Sequence, residues 1–314
     1  MTAVLATSPS AVAADAITFR IGQSSPANTF LAIWMANDAG FYEANGLKLE
    51  VVPMAGGGDI VGAFATGRID AMHIGLSSVV RANAVGAELR AFGSLSNVIR
   101  FALFGAPGVK TAADLKGGSI AISSFGSESD ATMNIMLAKL GLTRADVTVK
   151  ELGLRRLAAI QSGAVTATAL NEPDRSRAYA AGLTALVDLA PQRIPWLFTG
   201  LVAKRADISS RRDTLMRFLK ATIEGNRLAI SDEARAKAVL KRELGVSDQS
   251  IIDINYTEFK EQTPAKAEID VAGARAIIEQ IAKPGASQKL EDYIDLSLLN
   301  ALKAEGFFDA TARK

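Results

Sequence analysis

Residues 60–75, IVGAFATGRIDAMHIG, and residues 156–171, RLAAIQSGAVTATALN, follow one plan. Each begins as an apolar helical pattern, stops at a glycine (Gly67; Gly163) and passes at once into small and apolar residues of strand type. A glycine just past a helix end accepts the left-handed backbone that closes the last turn. The likeness extends outward in both directions. Upstream, an apolar run (17–21; 119–122) enters a serine-rich turn: Gln23-Ser24-Ser25-Pro26 in one half, Ser123-Ser124-Phe125-Gly126-Ser127 in the other. A helical pattern follows and ends near Gly40 or Gly141, and a strand pattern comes next (47–53; 147–152). Downstream, Gly67 to Gly86 is nineteen residues, as is Gly163 to Gly182, and a closing strand follows (89–92; 185–189).

The order is β-α-β-α-β-α-β, twice. Alternating strands and helices predict an α/β protein of two lobes, each a mostly parallel sheet covered by helices, with a cleft between them. Beyond Leu189 come a loop, a strand at 196–203 and, from Arg211, mainly helices. These are expected to pack back on the first lobe. The expected division is therefore 17–102 plus 200–314 for one lobe and 103–199 for the other, with crossings near 101–105 and 197–201.

A chain of 314 residues suits two such lobes. Basic and acidic residues number 35 and 33, a net charge of +2, so no strong field for nucleic acid or an anionic membrane is expected. There is no cysteine, which removes thiol nucleophiles, disulfides and thiolate metal sites. The single histidine, His73, lies inside a predicted strand and reads as a packed, hydrogen-bonded side chain. No metal or other cofactor is expected. Residues 1–16 are small and weakly apolar, and Ala11-Val12-Ala13 has the small-x-small form of a signal-peptidase site. They read as the remnant of an export signal whose start is truncated, or as a disordered N-terminus.

In open α/β sheets a ligand sits outside the C-terminal ends of the strands. The turns there hold Ser24, Ser25, Asn28, Ser77, Ser78, Ser123, Ser124 and Ser127, mostly at predicted helix starts, where free N–H groups and the positive end of the helix dipole favour an anion. Taken singly, each is also an ordinary N-cap. Gly57 and Gly58 would let backbone approach a ligand. Phe125 and Trp196 are candidate apolar walls or core residues. Asn171 and Glu172 follow a strand of the second half; Glu172 would accept from an amine or heterocycle, stand solvated, or pair with Arg175. Arg155 and Arg156 start a helix, where their charge opposes the dipole; they read as an exposed face, with service to an anion as the alternative.

The run at 40–78, GFYEANGLKLEVVPMAGGGDIVGAFATGRIDAMHIGLSS, together with DLKGGSIAISSFGS at 114–127 and RLAAIQSGAV at 156–165, resembles ABC-importer substrate-binding proteins of the nitrate, sulfonate, taurine and thiamine-precursor group. The resemblance implies a type II-like periplasmic-binding-protein fold and hinge closure. It also implies an exported, periplasmic, monomeric protein that delivers a small-molecule ligand to a membrane permease and its ATPase. It implies ligand contacts at Ser24, Ser25, Gly57, Ser77, Ser78, Ser123, Ser124 and Asn171. The expected ligand is a small organic anion; a neutral or amine-bearing heterocycle is the alternative. Desulfinases and a pyrimidine synthase share the fold, but their chemistry uses cysteine, so no enzyme activity is expected. A ligand sensor for a membrane receptor would be built the same way.

Overall fold

The computed structural model describes residues 16–54 and 57–309. The signal-peptide reading of residues 1–16 falls almost wholly outside them. Two five-stranded sheets form the frame. The first takes β1 (Ile17–Gln23), β2 (Leu47–Pro53), β3 (Ala71–Ile74), β4 (Leu89–Val98) and β10 (Pro195–Lys204), in the order β2-β1-β3-β10-β4. The second takes β5 (Ala102–Gly105), β6 (Ser119–Ile122), β7 (Thr148–Glu151), β8 (Ala167–Leu170) and β9 (Ala185–Asp188), in the order β7-β6-β8-β5-β9.

The duplication is thus carried into the topology, with one addition in each half. A strand from outside the repeated unit is inserted between its third and fourth strands. In the first sheet β10 runs antiparallel to β3 and β4; in the second β5 runs antiparallel to β8 and β9. Both sheets are therefore mixed. The chain passes between them over residues 99–101 and 189–194, just before the expected crossings, because 102–105 and 195–204 are strands of their destination sheets. β4 is also longer than the expected strand at 89–92: residues 93–98 continue it, held by pairing with β10 and by Ser94 and Ser96, which are buried.

Helices cover the sheets as the glycine punctuation requires. Gly67 and Gly163 have φ of +71° and +72°, the backbone predicted for both turns. After the first come α4 (Leu76–Asn83) and β4; before the second lie α5 (Glu128–Lys139) and α6 (Arg156–Gln161). Ser127 caps α5 by accepting from Asp130 N–H. Strand alternation sorts the second sheet's faces: Leu103 packs in the large core, while Ala102 and Phe104 join a smaller cluster with Ile160 and Leu170. The C-terminal helices pack on the first lobe. α1 (Leu31–Asp38) is buried along residues 31–36 and lies against α9 (Arg212–Ser231). Gly225 makes that approach feasible, since a Cβ there would overlap the Ala32 carbonyl. Among the described residues, no helix is long and apolar enough to cross a membrane.

Candidate functional site

The strand ends of both sheets meet around a cavity of about 90 Å³. From the first lobe it is lined by Ser24 and Ser25 after β1, by His73, Ile74 and Gly75 at the end of β3, and by Ser78 on α4. From the second come Ser123, Ser127, Glu128 and Ser129 at the start of α5, Arg156 on α6 and Asn171 after β8. Phe101, in the first connection, and Phe198, on β10, stand edge to face at 5.1 Å and form an aromatic wall.

The serines differ in what they have to offer. Ser123, Ser127 and Ser129 hydroxyls bond one another at 2.9 Å, and Ser127 Oγ also donates to the Ser124 carbonyl at 2.7 Å. That ring is built to shape the α5 turn. Ser78 Oγ donates across the cleft to the Gly126 carbonyl at 3.3 Å. Ser124 Oγ is buried with no partner among the described residues, and Ser124 borders a second, more open pocket with Gly58. Gly57 opens α3 (Gly57–Ala65).

Two charges define the cavity, Glu128 and Arg156. Glu128, the first residue of α5, is buried and reaches from the second lobe into the first. Its Oε1 accepts from Ser77 N–H at 2.8 Å; its Oε2 accepts from Ser77 Oγ at 2.9 Å and from Trp196 Nε1 at 2.5 Å. A Cβ on Gly75 would overlap this carboxyl, so the glycine makes room for it. Burial pushes the Glu128 carboxyl up to about 7, against the pull of its Trp196 and Ser77 donors and nearby Arg81. Arg156 is also buried, a correction to the expected exposed face; Arg155 is the exposed one. Arg156 Nε donates to the Gly153 carbonyl at 2.9 Å and Nη1 to the Ala169 carbonyl. Its Nη2 has no protein partner among the described residues. Burial draws the guanidinium down to about 10, so it stays cationic at neutral pH.

His73 is packed, as expected, and also lines the cavity. Its Nε2 lies 3.3 Å from the Thr29 carbonyl, which can only accept, so Nε2 carries the proton. Its ring stands edge-on to Phe30, and burial draws it down to about 4, leaving it neutral.

The other expected residues are placed elsewhere. Phe125 is 56% exposed, with the Arg144 guanidinium over its ring, and forms no wall. Trp196 is buried and turns its indole N–H to Glu128. Asn28 donates to the Asn255 carbonyl and accepts from Arg100. Glu172 is buried outside the cavity lining. Its carboxylate accepts from Arg175 Nε at 2.9 Å and Asn255 Nδ2 at 3.2 Å, and Arg175 Nη2 bonds Glu258 at 2.5 Å. The pairing of Glu172 with Arg175, one of its sequence readings, is present. Glu128 was not singled out, although it follows the serine-rich turn directly; an acidic residue in a helix's first turn reads as a partner of the dipole.

The Glu128 carboxyl has a testable pH signature. Its proton is held more tightly in the folded chain than at the ordinary value of 4.5. The resulting stabilisation is full below that value and is lost as pH rises through about 7. The unfolding free energy of the wild type relative to Glu128→Gln should fall by on the order of 2 kcal/mol between pH 5 and 8. Parallel denaturation curves at the two pH values check this; an unchanged difference would mean that the donors hold the carboxylate ionised throughout.

The model of the family described as NMT1/THI5 like matches residues 27–236. The riboflavin-binding protein RibY of Chloroflexus aurantiacus is 27% identical over 215 residues, 65% of this chain and 60% of that protein. The aligned stretch thus spans about three-fifths of that relative's length. Among solved structures, the alkanesulfonate-binding protein SsuA of Xanthomonas axonopodis pv. citri, bound to MOPS, superposes with a TM-score of 0.73 at 20% identity, covering 88% of this chain and 97% of that one. The desulfurization enzyme DSZB superposes with 0.64 at 15% identity, covering 92% and 99%. These two likenesses establish the two-lobed fold, which binding proteins and an enzyme both use.

Proposed function

Because this chain belongs to the NMT1/THI5-like family, we propose that it is the solute-binding component of an ABC importer, exported to the periplasm and working with a membrane permease and its ATPase. The observation that carries the reading is the cavity between the lobes, where a buried arginine keeps one nitrogen free of protein acceptors beside an aromatic pair. Such a site suits a small organic solute whose carboxylate, sulfonate or similar acceptor meets Arg156. Capture on one lobe and rotation about the connections at 99–101 and 189–194 would close the other lobe over it. A desulfinase-like reaction is disfavoured because the sequence has no cysteine to carry it.

A second reading, an amine-bearing heterocycle, is favoured by the Glu128 carboxyl on the same cavity. Both are tested by thermal shift with a panel of carboxylates, sulfonates, nitrate and heterocycles. A true ligand at ~100 times its dissociation constant should add about 2.7 kcal/mol of stability. If no solute moves the melting curve, the solute-binding reading fails.

A further inference from the structure

We infer that Glu128 sets the charge class of the ligand: it fills the anion seat at the N-terminus of α4 from within, so the cleft takes a compact, net-neutral solute with an N–H donor or cationic end for Glu128 and an acceptor end for Arg156. This deepens the solute-binding reading and rests on it.

The seat is built for a carboxylate. Ser77 supplies both its backbone N–H and its hydroxyl, Trp196 supplies its indole N–H, and Gly75 leaves the space that the carboxyl occupies. These are the kinds of donors that would otherwise receive an anionic ligand at a helix start. With Glu128 in place, an anion cannot take that seat. A carboxylate has about four acceptor positions. Three protein donors reach Glu128, two on Oε2 and one on Oε1, so Oε1 retains an acceptor position on a group that lines the cavity.

Charge balance points the same way. The titratable residues lining the cavity are Glu128, Arg156 and His73. His73 is held neutral by burial, so above about pH 7, where Glu128 is ionised, Glu128 and Arg156 cancel. A bare anion would pair with Arg156 but would add a second negative charge to an enclosed site that already holds Glu128. A solute carrying its own positive or N–H end relieves that conflict and uses both partners.

The test is calorimetric titration of the full chain with two probe pairs matched in length: β-alanine with propanoate, and aminopropanesulfonate with propanesulfonate. The wild type should favour the amino member of a pair by at least tenfold. Glu128→Gln should bring the members within threefold of each other. Glu128→Ala, which frees the Ser77 N–H, should raise affinity for the anion by tenfold or more. Equal binding or a preference for the anion in the wild type would overturn the inference, as would an amino preference that survives in both variants. If neither pair binds while other solutes stabilise the protein, the charge-class assignment falls and the solute-binding reading stands. If nothing binds, both fall.

Discussion

Replacing Arg100 with methionine will cost the fold about 3–5 kcal/mol, the range for removing one member of a buried ion pair. Arg100 lies in the connection between the sheets and is 1% exposed. Its Nε donates to Ser96 Oγ at 2.7 Å, and its Nη1 lies 3.3 Å from Glu258 Oε1 and 3.4 Å from Asn28 Oδ1. Glu258, on α11 (Gln249–Gln262), also pairs with Arg175 of the second lobe, which in turn holds Glu172 and lies 3.9 Å from Asp188. The cluster thus sets two cations against three carboxylates. Methionine fills much of the arginine's apolar volume but leaves one cation for three anions in a buried site. Burial already pushes the Glu172 carboxyl up, and Glu258 adds to that push against the pull of Arg175. The deficit in Arg100→Met should therefore shrink as pH falls and Glu172 protonates. It should also shrink in the double variant with Glu258→Gln, which returns the cluster to its wild-type net charge. Urea denaturation of the single and double variants at pH 5 and pH 7.5 checks this. A loss below 1 kcal/mol at neutral pH would mean that the cluster relaxes around the missing guanidinium.

The same cluster marks where sequence reasoning reached its limit. The repeated glycine turns made the two lobes legible, because a left-handed residue after a helix is a local demand that Gly67 and Gly163 both meet. The inserted strands were harder. Residues 102–105 form a short apolar run outside the repeat, and their place between β8 and β9 is fixed by pairing with distant residues. Glu172 could be read only as far as its neighbour Arg175; its other partner, Asn255, lies 83 residues away on a C-terminal helix. Glu128 went unnoticed for the opposite reason. Its local setting, the first turn of a helix behind a serine cap, is satisfied by the dipole alone, and nothing local indicates that its side chain crosses to Ser77. Serine-rich helix starts pointed to residues that line the cavity between the lobes. The charges that would select a ligand there depend on contacts between lobes, which periodicity does not encode.

Arg156→Met should lower affinity for the best-binding solute of the thermal-shift panel by at least a hundredfold, up to about 4 kcal/mol, because removing one side of a buried charged contact leaves the other unpaired. The side chain serves two purposes, and the test must separate them. Nε and Nη1 hold the carbonyls of Gly153 and Ala169, and so fix the α6 turn against β8; Nη2 is left for the ligand. Methionine removes all three donors, so a modest loss of stability, about 1 kcal/mol per lost hydrogen bond, should accompany the loss of binding. Arg156→Lys discriminates between the roles. Lysine keeps the charge but cannot match the planar fork that spans two carbonyls and a third acceptor. It should recover part of the affinity for a carboxylate or sulfonate, and little of it for a neutral acceptor. If ligand bound to Arg156→Met with wild-type affinity, the acceptor end would have to lie at the Ser24–Ser25 turn instead. The two carbonyls at 153 and 169 would then be the whole reason for burying this arginine.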